Sequence, residues 1–300
     1  MNAKNIKKTL NARMNDWIDS IDDNKVKDTI FTNAMITGGA IVSLLLNEEV
    51  NDYDIYFKTK ESCRLVAGYY MNKWNNTHPE DKDQVRFDTA DTDDRIRLVI
   101  GRGRGNGMTG EAGDNGIDDP TEPYTTENEE DPTKPNPAIE KPKYRPRFFS
   151  TNAISLSDKI QVVIRFYGSV EDIHKNFDYE HTKCCYDHKE YTLDLPARAL
   201  ECIINKELVY TGSKYPLTSI IRSRKFITRG WTISAGQYVK MAFELNELDL
   251  KNIEVFKDQV VGVDSAYFIQ ALDIIAKKME QDPNFSLTTC YLFEVIDRIF

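Results

Sequence analysis

The chain has 300 residues, 40% of them apolar and 11% aromatic, enough for a sizeable core in one or two domains. Its 48 acidic residues outnumber 39 basic ones, for a net charge of −9, which excludes a globally basic surface but not a local basic patch. Five cysteines, odd in number and with no C-x-x-C pair, point to a reduced cytoplasmic protein; no apolar run approaches the ~20 residues of a membrane span, and the lysine-bearing N-terminus has no apolar signal core.

In chain order, residues 1 to 35 read as helical. Leu10, Met14, Trp17, Ile18 and Ile21 recur at helix spacing, which predicts a helix packed over a sheet, and Val26 to Ala34 then lead into a glycine turn. The stretch Thr37 to Phe57, TGGAIVSLLLNEEVNDYDIYF, joins that turn, a short apolar helix over 40–46 and a strand. Gly38 and Gly39 lack a Cβ, so the backbone can turn sharply and let a phosphate approach the N–H groups opening the helix; Ser43 adds a hydroxyl one turn in. Asp52 and Asp54 fall on one face of the strand, with Tyr53 and Ile55 on the other. Two hard carboxylates at a strand end suit Mg²⁺ (or Mn²⁺), which completes its shell with waters and substrate phosphates. Gly-Gly or Asp-x-Asp alone is a weak motif; the ordered unit of turn, helix and Asp-x-Asp strand is far more specific.

This unit resembles the signature of the nucleotidyltransferase superfamily that includes DNA polymerase β, and in detail that of tRNA CCA-adding enzymes and bacterial poly(A) polymerases. The resemblance implies that Gly38 and Gly39 hold a triphosphate while Asp52 and Asp54 hold two metal ions that activate an attacking hydroxyl and stabilise leaving pyrophosphate. It implies an α+β fold: a mixed sheet flanked by helices, followed by an all-α region.

Downstream, residues 58–76 form an amphipathic helix whose Leu65, Val66, Tyr69, Tyr70 and Trp74 are expected to pack in the core. Strands are expected at Val85 to Phe87 and Ile96 to Ile100, with Asp88 between them, as a hairpin at the edge of the sheet. Residues 101–147 turn Gly-, Pro- and acid-rich, a composition that buries too little apolar surface to offset its ordering entropy. A disordered insertion is expected there, with Arg102 and Arg104 as loop charges. Strands return at 153–156 and 159–166, followed by a Ser-capped helix and a further strand. Val170 to Lys175, Asp178 and the pair Tyr186-Asp187 resemble later family segments, whereas Asn176 and Phe177 replace an Arg-Arg pair and Gln161 stands where the family offers a third carboxylate. Three sources of a third acid stay open: Asp178, preferred for its setting between Phe177 and Tyr179 at a strand start; Asp88; or none. His181 is read as a structural histidine, and a zinc site at Cys184, Cys185, His181 and His188 is disfavoured because adjacent strand cysteines point opposite ways.

From Leu195 the chain reads helical. Tyr215-Pro216-Leu217, Ile221-Arg222, Lys225-Phe226 and Gly230-Trp231 resemble the neck of CCA-adding and poly(A) polymerase enzymes, and helix spacing gathers Arg222, Lys225 and Arg229 for phosphate or RNA while Arg224 leans elsewhere. Two or three helices are expected over 249–300, with Asp264 as an N-cap. The expected organisation is a catalytic domain over 1–194 and a helical region over 195–300. The expected function is NMP transfer from an NTP to a hydroxyl, an RNA 3′ end for preference, without a membrane. A protein or small-molecule acceptor, or a non-catalytic descendant of the fold, stand as alternatives.

Overall fold

The computed structural model describes residues 1–79, 84–88, 96–100, 109–110, 142–150 and 152–250, with isolated positions beyond. Arg102, Arg104, most of the expected insertion, Asp264 and most of the expected C-terminal helices lie outside the described residues.

Two helices open the chain, α1 (Ala3–Asp19) and α2 (Asn24–Asn33). Asn2 caps the first by accepting from the Asn5 amide, and Asp23 caps the second by accepting from the amides of Lys25 and Val26. The strand β1 (Ala34–Thr37) follows directly, then α3 (Gly39–Leu46), β2 (Tyr53–Phe57) and α4 (Lys60–Thr77), the last capped by Thr59. The helical pattern of residues 1–35 thus ends in a strand, where helix spacing predicts none. All four residues of AMIT are buried, so no alternation marks it.

The strands β3 (Val85–Phe87) and β4 (Leu98–Ile100) pair antiparallel as expected, but they form a separate two-stranded sheet and not an edge of the main one. The main sheet continues with β5 (Thr109–Gly110), β6 (Pro146–Phe149), β7 (Ala153–Leu156) and β8 (Ile160–Tyr167). Order therefore resumes earlier than the composition implies. Tyr144 is fully buried and donates its hydroxyl to Asp16 at 2.6 Å, because the aromatic ring at the end of the polar stretch finds a place against α1.

After α5 (Val170–His174) come a 3₁₀ turn (Glu180–Thr182), β9 (Cys185–Asp187), β10 (Thr192–Asp194) and α6 (Ala197–Asn205). The hairpin α7 (Pro216–Thr228) and α8 (Ala235–Asn246) closes the described region, with a short parallel ladder between β11 (Glu207–Leu208) and β12 (Thr232–Ile233) interrupting the expected all-α segment.

The eight strands run in the order β10-β9-β1-β2-β8-β7-β6-β5; β2 and β8 are parallel and the other neighbours antiparallel, giving a mixed sheet flanked by helices. One face carries Ile36, Ile55, Phe57 and Val162 into a core with Trp17, Tyr70 and Trp74. Each of those large side chains contributes ~1.5–3 kcal/mol on burial, and the Trp17 indole donates to the Tyr70 hydroxyl at 2.6 Å. The aromatic stripe of α4 is therefore core. Met35, Tyr56, Val163 and Cys185 point to the opposite face, packed by Ile173 of α5, and Cys184 falls in the first cluster. The site lies on that second face.

Candidate functional site

A cavity of about 360 Å³ opens on the second face where the β1–α3 turn, β2, β8 and α7 converge. Gly38, Gly39, Asp52, Asp54, Asp178, Arg222 and Lys225 all line it.

The turn is built from Gly38, with φ +100 and ψ −148, a backbone region closed to residues with a Cβ. A Cβ at Gly38 would also sit 3.4 Å from Asp54 Oδ2, whereas one at Gly39 would meet nothing within 4 Å. Space over Gly39 therefore belongs to the cavity. The opening turn of α3 has no side-chain cap, so its amides are left for another acceptor. Thr37 fixes the end of β1: its hydroxyl donates to the Cys184 carbonyl at 2.7 Å and takes a hydrogen bond from His174 Nε2 at 2.8 Å. With the hydroxyl proton committed to that carbonyl, the imidazole must carry its hydrogen on Nε2. Burial, then the charge of Lys183, holds His174 below its ordinary value and favours that neutral form.

Burial first, and the neighbouring Asp52 second, raise the Asp54 carboxyl to about 7; Lys225 and Arg222 oppose the rise. Two carboxylates that resist joint ionisation are relieved by a cation between them. Among the described residues no group of three His, Cys, Asp or Glu side chains is arranged to hold an ion. The Asp52–Asp54 pair fits Mg²⁺, which takes one or two protein carboxylates.

Gln161 pairs in register with Asp54 across the parallel β2–β8 ladder, so the strand beside the acids offers an amide and not a carboxylate. Asp178 stands before the 3₁₀ turn, not at a strand start, because the β-type pairing next to it is an isolated bridge between Tyr179 and Tyr210. It is 4% exposed and accepts from Arg222 Nη1 at 2.6 Å. A carboxylate so engaged sets the direction of a guanidinium. Asp88 belongs with the separate β3–β4 sheet and does not line the cavity.

Ser43 and Arg229 are brought together elsewhere. Ser43 is buried in α3 and Arg229 Nη2 lies 3.5 Å from its hydroxyl, but neither lines the cavity. Arg229 instead pairs with Glu48 at 2.7 Å, and Lys206 reaches the same carboxylate at 3.0 Å. Against the upward pull of burial, these two donors hold Glu48 below the usual carboxylate range. His181 is enclosed by Phe226, Trp231 and Tyr179; burial, then Arg229 and Arg222, push it down to about 3, so it is neutral.

Sequence reading missed Tyr56, Asn152, Arg165, Phe166 and Tyr215, which also line the cavity. Alternation along β8 carried a signal, since Gln161, Val163 and Arg165 share one face. A larger groove of about 790 Å³ lies over α2 and α4, lined by Asp22, Lys25, Glu61, Arg64 and Tyr69 and separate from the acids.

A family model described as "Gad2: Gabija anti-defense 2 family protein" matches residues 8–206. The chain is 22% identical over 269 residues to "Gabija anti-defense 2" of Bacillus phage SPbetaL7, covering 89% of this chain and 48% of that protein. It thus spans about half the length of the curated relative it matches. Among solved structures, a tRNA-processing enzyme with CTP aligns with TM-score 0.38 and 12% identity, over 89% of this chain and 55% of that one. The CCA-adding enzyme of Bacillus stearothermophilus in complex with CTP aligns with TM-score 0.33 and 13% identity, over 80% and 47%.

Proposed function

The chain belongs to the Gabija anti-defense 2 family, and from that premise we propose that it counters Gabija defence as a metal-dependent nucleotidyltransferase. NMP would pass from an NTP to a hydroxyl acceptor, an RNA 3′ end, with release of pyrophosphate. The observation that supports this reading is the convergence of the Gly38-Gly39 turn, Asp52, Asp54, Arg222 and Lys225 on one cavity.

Each residue has a task in this scheme. The amides after Gly38 receive the outer phosphates, and the open space over Gly39 admits them. Arg222, aimed by Asp178, and Lys225 neutralise the triphosphate and oppose the rise of the Asp54 carboxyl. Asp52 and Asp54 would hold Mg²⁺ or Mn²⁺, which supplies charge neutralisation at the transferred phosphoryl group. Arg229 and Ser43 act at one remove, by tying α7 to α3 through Glu48.

The paired substitution Asp52→Ala with Asp54→Ala is expected to abolish transfer of label from α-labelled NTP and to abolish protection of phage in Gabija-carrying cells, with cooperative thermal unfolding retained. A double variant that still labels an acceptor places the chemistry elsewhere. One that loses labelling yet still blocks Gabija favours a non-catalytic role, for which Gln161 at the third-acid position is the specific ground. Label entering polypeptide and not RNA, when each NTP is offered with whole lysate, identifies a protein acceptor.

A further inference from the structure

We infer that the Tyr56 hydroxyl pairs with a sugar hydroxyl of the bound NTP, so that Tyr56 is the residue that separates a ribonucleotide from its deoxy analogues. The inference rests on the nucleotidyl-transfer reading and concerns the donor bound at that same site.

Strand β2 divides its side chains between two environments. Tyr53, Ile55 and Phe57 enter the core, whereas Asp54 and Tyr56 line the cavity. Register fixes where along the strand each of the two stands. A Cβ on Gly38 would meet Asp54 Oδ2 at 3.4 Å, so the Gly38-Gly39 turn lies against Asp54. Tyr56 pairs with Met35 across the antiparallel β1–β2 ladder, and the chain of β1 runs from Met35 toward Gly38. Tyr56 therefore stands on the far side of Asp54 from the turn, ~7 Å along the strand at the usual rise.

The Tyr56 ring is fixed by its neighbours. It packs with Met35, Val163 and Ile173 and meets Phe177 at 5.8 Å between ring centroids. The residue is 8% exposed and lines the cavity, yet among the described residues nothing hydrogen-bonds its hydroxyl. Asp54, Arg222 and Asp178 all act on that hydroxyl, which sets it among the charged groups of the site. Burial first, then Asp54, raise the phenol well above its ordinary value against the pull of Arg222, so it keeps its proton. A buried hydroxyl left without a partner is costly, and a ligand in the cavity relieves that cost.

The order of groups within an NTP says which part arrives there. In the proposed scheme the amides after Gly38 take the outer phosphates and the α-phosphoryl group falls at Asp52 and Asp54. Beyond the α-phosphate comes the sugar; beyond Asp54 the next cavity-lining side chain of β2 is Tyr56. A phenol both donates and accepts, as a sugar hydroxyl does, so the two satisfy each other. A phosphate oxygen only accepts and is better met by the cations Arg222 and Lys225. An analogue that lacks the sugar hydroxyl leaves the phenol unpaired, and pockets discriminate most strongly in that way.

The test measures, by calorimetry with Mg²⁺ and the purified full chain, the affinity for each NTP and for its 2′-deoxy and 3′-deoxy analogues. Wild type is expected to bind an NTP at least about tenfold more tightly than one of its two analogues. Tyr56→Phe removes only the hydroxyl; it should erase that preference by weakening the NTP alone, and without ligand it should melt no lower than wild type. Equal affinity of wild type for an NTP and both analogues overturns the inference, whatever Tyr56→Phe does. So does a Tyr56→Phe chain that keeps the preference, or one that weakens all three nucleotides by the same factor, which assigns the hydroxyl to phosphate or base. A clear fall in the unliganded melting temperature of Tyr56→Phe gives the hydroxyl a partner inside the protein and overturns it too. If wild type binds none of the nucleotides, the nucleotidyl-transfer reading falls and the inference falls with it.

Discussion

At the residue scale, the cavity is organised by what glycine permits and what burial forbids. Gly38 and Gly39 look equivalent in sequence but occupy different physical situations. At Gly38 the backbone conformation excludes a Cβ, so Gly38→Ala is expected to cost ~1–3 kcal/mol of stability. Gly39 has open space above it, so Gly39→Ala should melt like wild type in the absence of ligand and lose the thermal shift given by Mg²⁺ and NTP. Asp54 supplies a pH signature. Its folded pKa is raised from 3.8 to about 7 by burial, then by Asp52, so the stability it contributes is complete below the unfolded value and is lost as pH rises through the folded one. Asp54→Asn should therefore match wild type in melting temperature at about pH 4 and exceed it at about pH 8, the gap opening by ~1.4 kcal/mol per pH unit between those two pKa values. By the same sign, the thermal shift from Mg²⁺ and NTP should be larger at about pH 8 than at about pH 6, since the cation needs the ionised carboxylate.

At the scale of elements, α7 does two jobs with two sets of cations. Arg222 and Lys225 face the cavity, while Arg229, at the end of the helix, reaches Glu48 beyond the end of α3 together with Lys206. Helix periodicity alone put Arg222, Lys225 and Arg229 together; the α3 end, brought close only by the fold, drew Arg229 away. Arg229→Ala is accordingly expected to lower stability by about 1 kcal/mol, as a partly exposed ion pair does, and to leave NTP affinity within a few fold of wild type. Arg222→Ala with Lys225→Ala should weaken NTP binding by roughly two orders of magnitude, since charge-assisted bonds to phosphate are worth ~1.5–3 kcal/mol each, and should also lower the melting temperature, because loss of Arg222 leaves the buried Asp178 carboxylate without it. Titration of NTP followed by fluorescence or calorimetry separates the two outcomes.

At the scale of the whole molecule, one apolar cluster joins α1 to α8. It takes Ile6 and Leu10 from the first helix and Leu208, Tyr210, Trp231 and Met241 from beyond residue 206, where the family match ends. It spans both sides of the division expected at 194. A chain ending at Lys206 should therefore lose cooperative unfolding: it gives up four buried side chains worth ~1.5–3 kcal/mol each, comparable with the net stability of a whole domain. It would also lose Arg222 and Lys225, so no NTP shift is expected even from a folded remnant.

By itself the sequence determined the local units: the Gly-Gly turn, the apolar helix after it, the Asp-x-Asp strand, the amphipathic α4 and the strand character of β8. In each of these, backbone freedom or side-chain periodicity acts over a few residues and leaves a mark within them. It did not mark β1, whose four residues are all buried and so show no alternation, nor the ordered return at Tyr144, whose place depends on Asp16 far away in the chain. Tertiary structure alone decided that Asp178 serves Arg222, that Arg229 belongs to Glu48 and that Arg165 lines the cavity. These are pairings between segments distant in sequence. Charge and burial at each position depend on which strand or helix arrives alongside, and short-range pattern carries no record of that arrival.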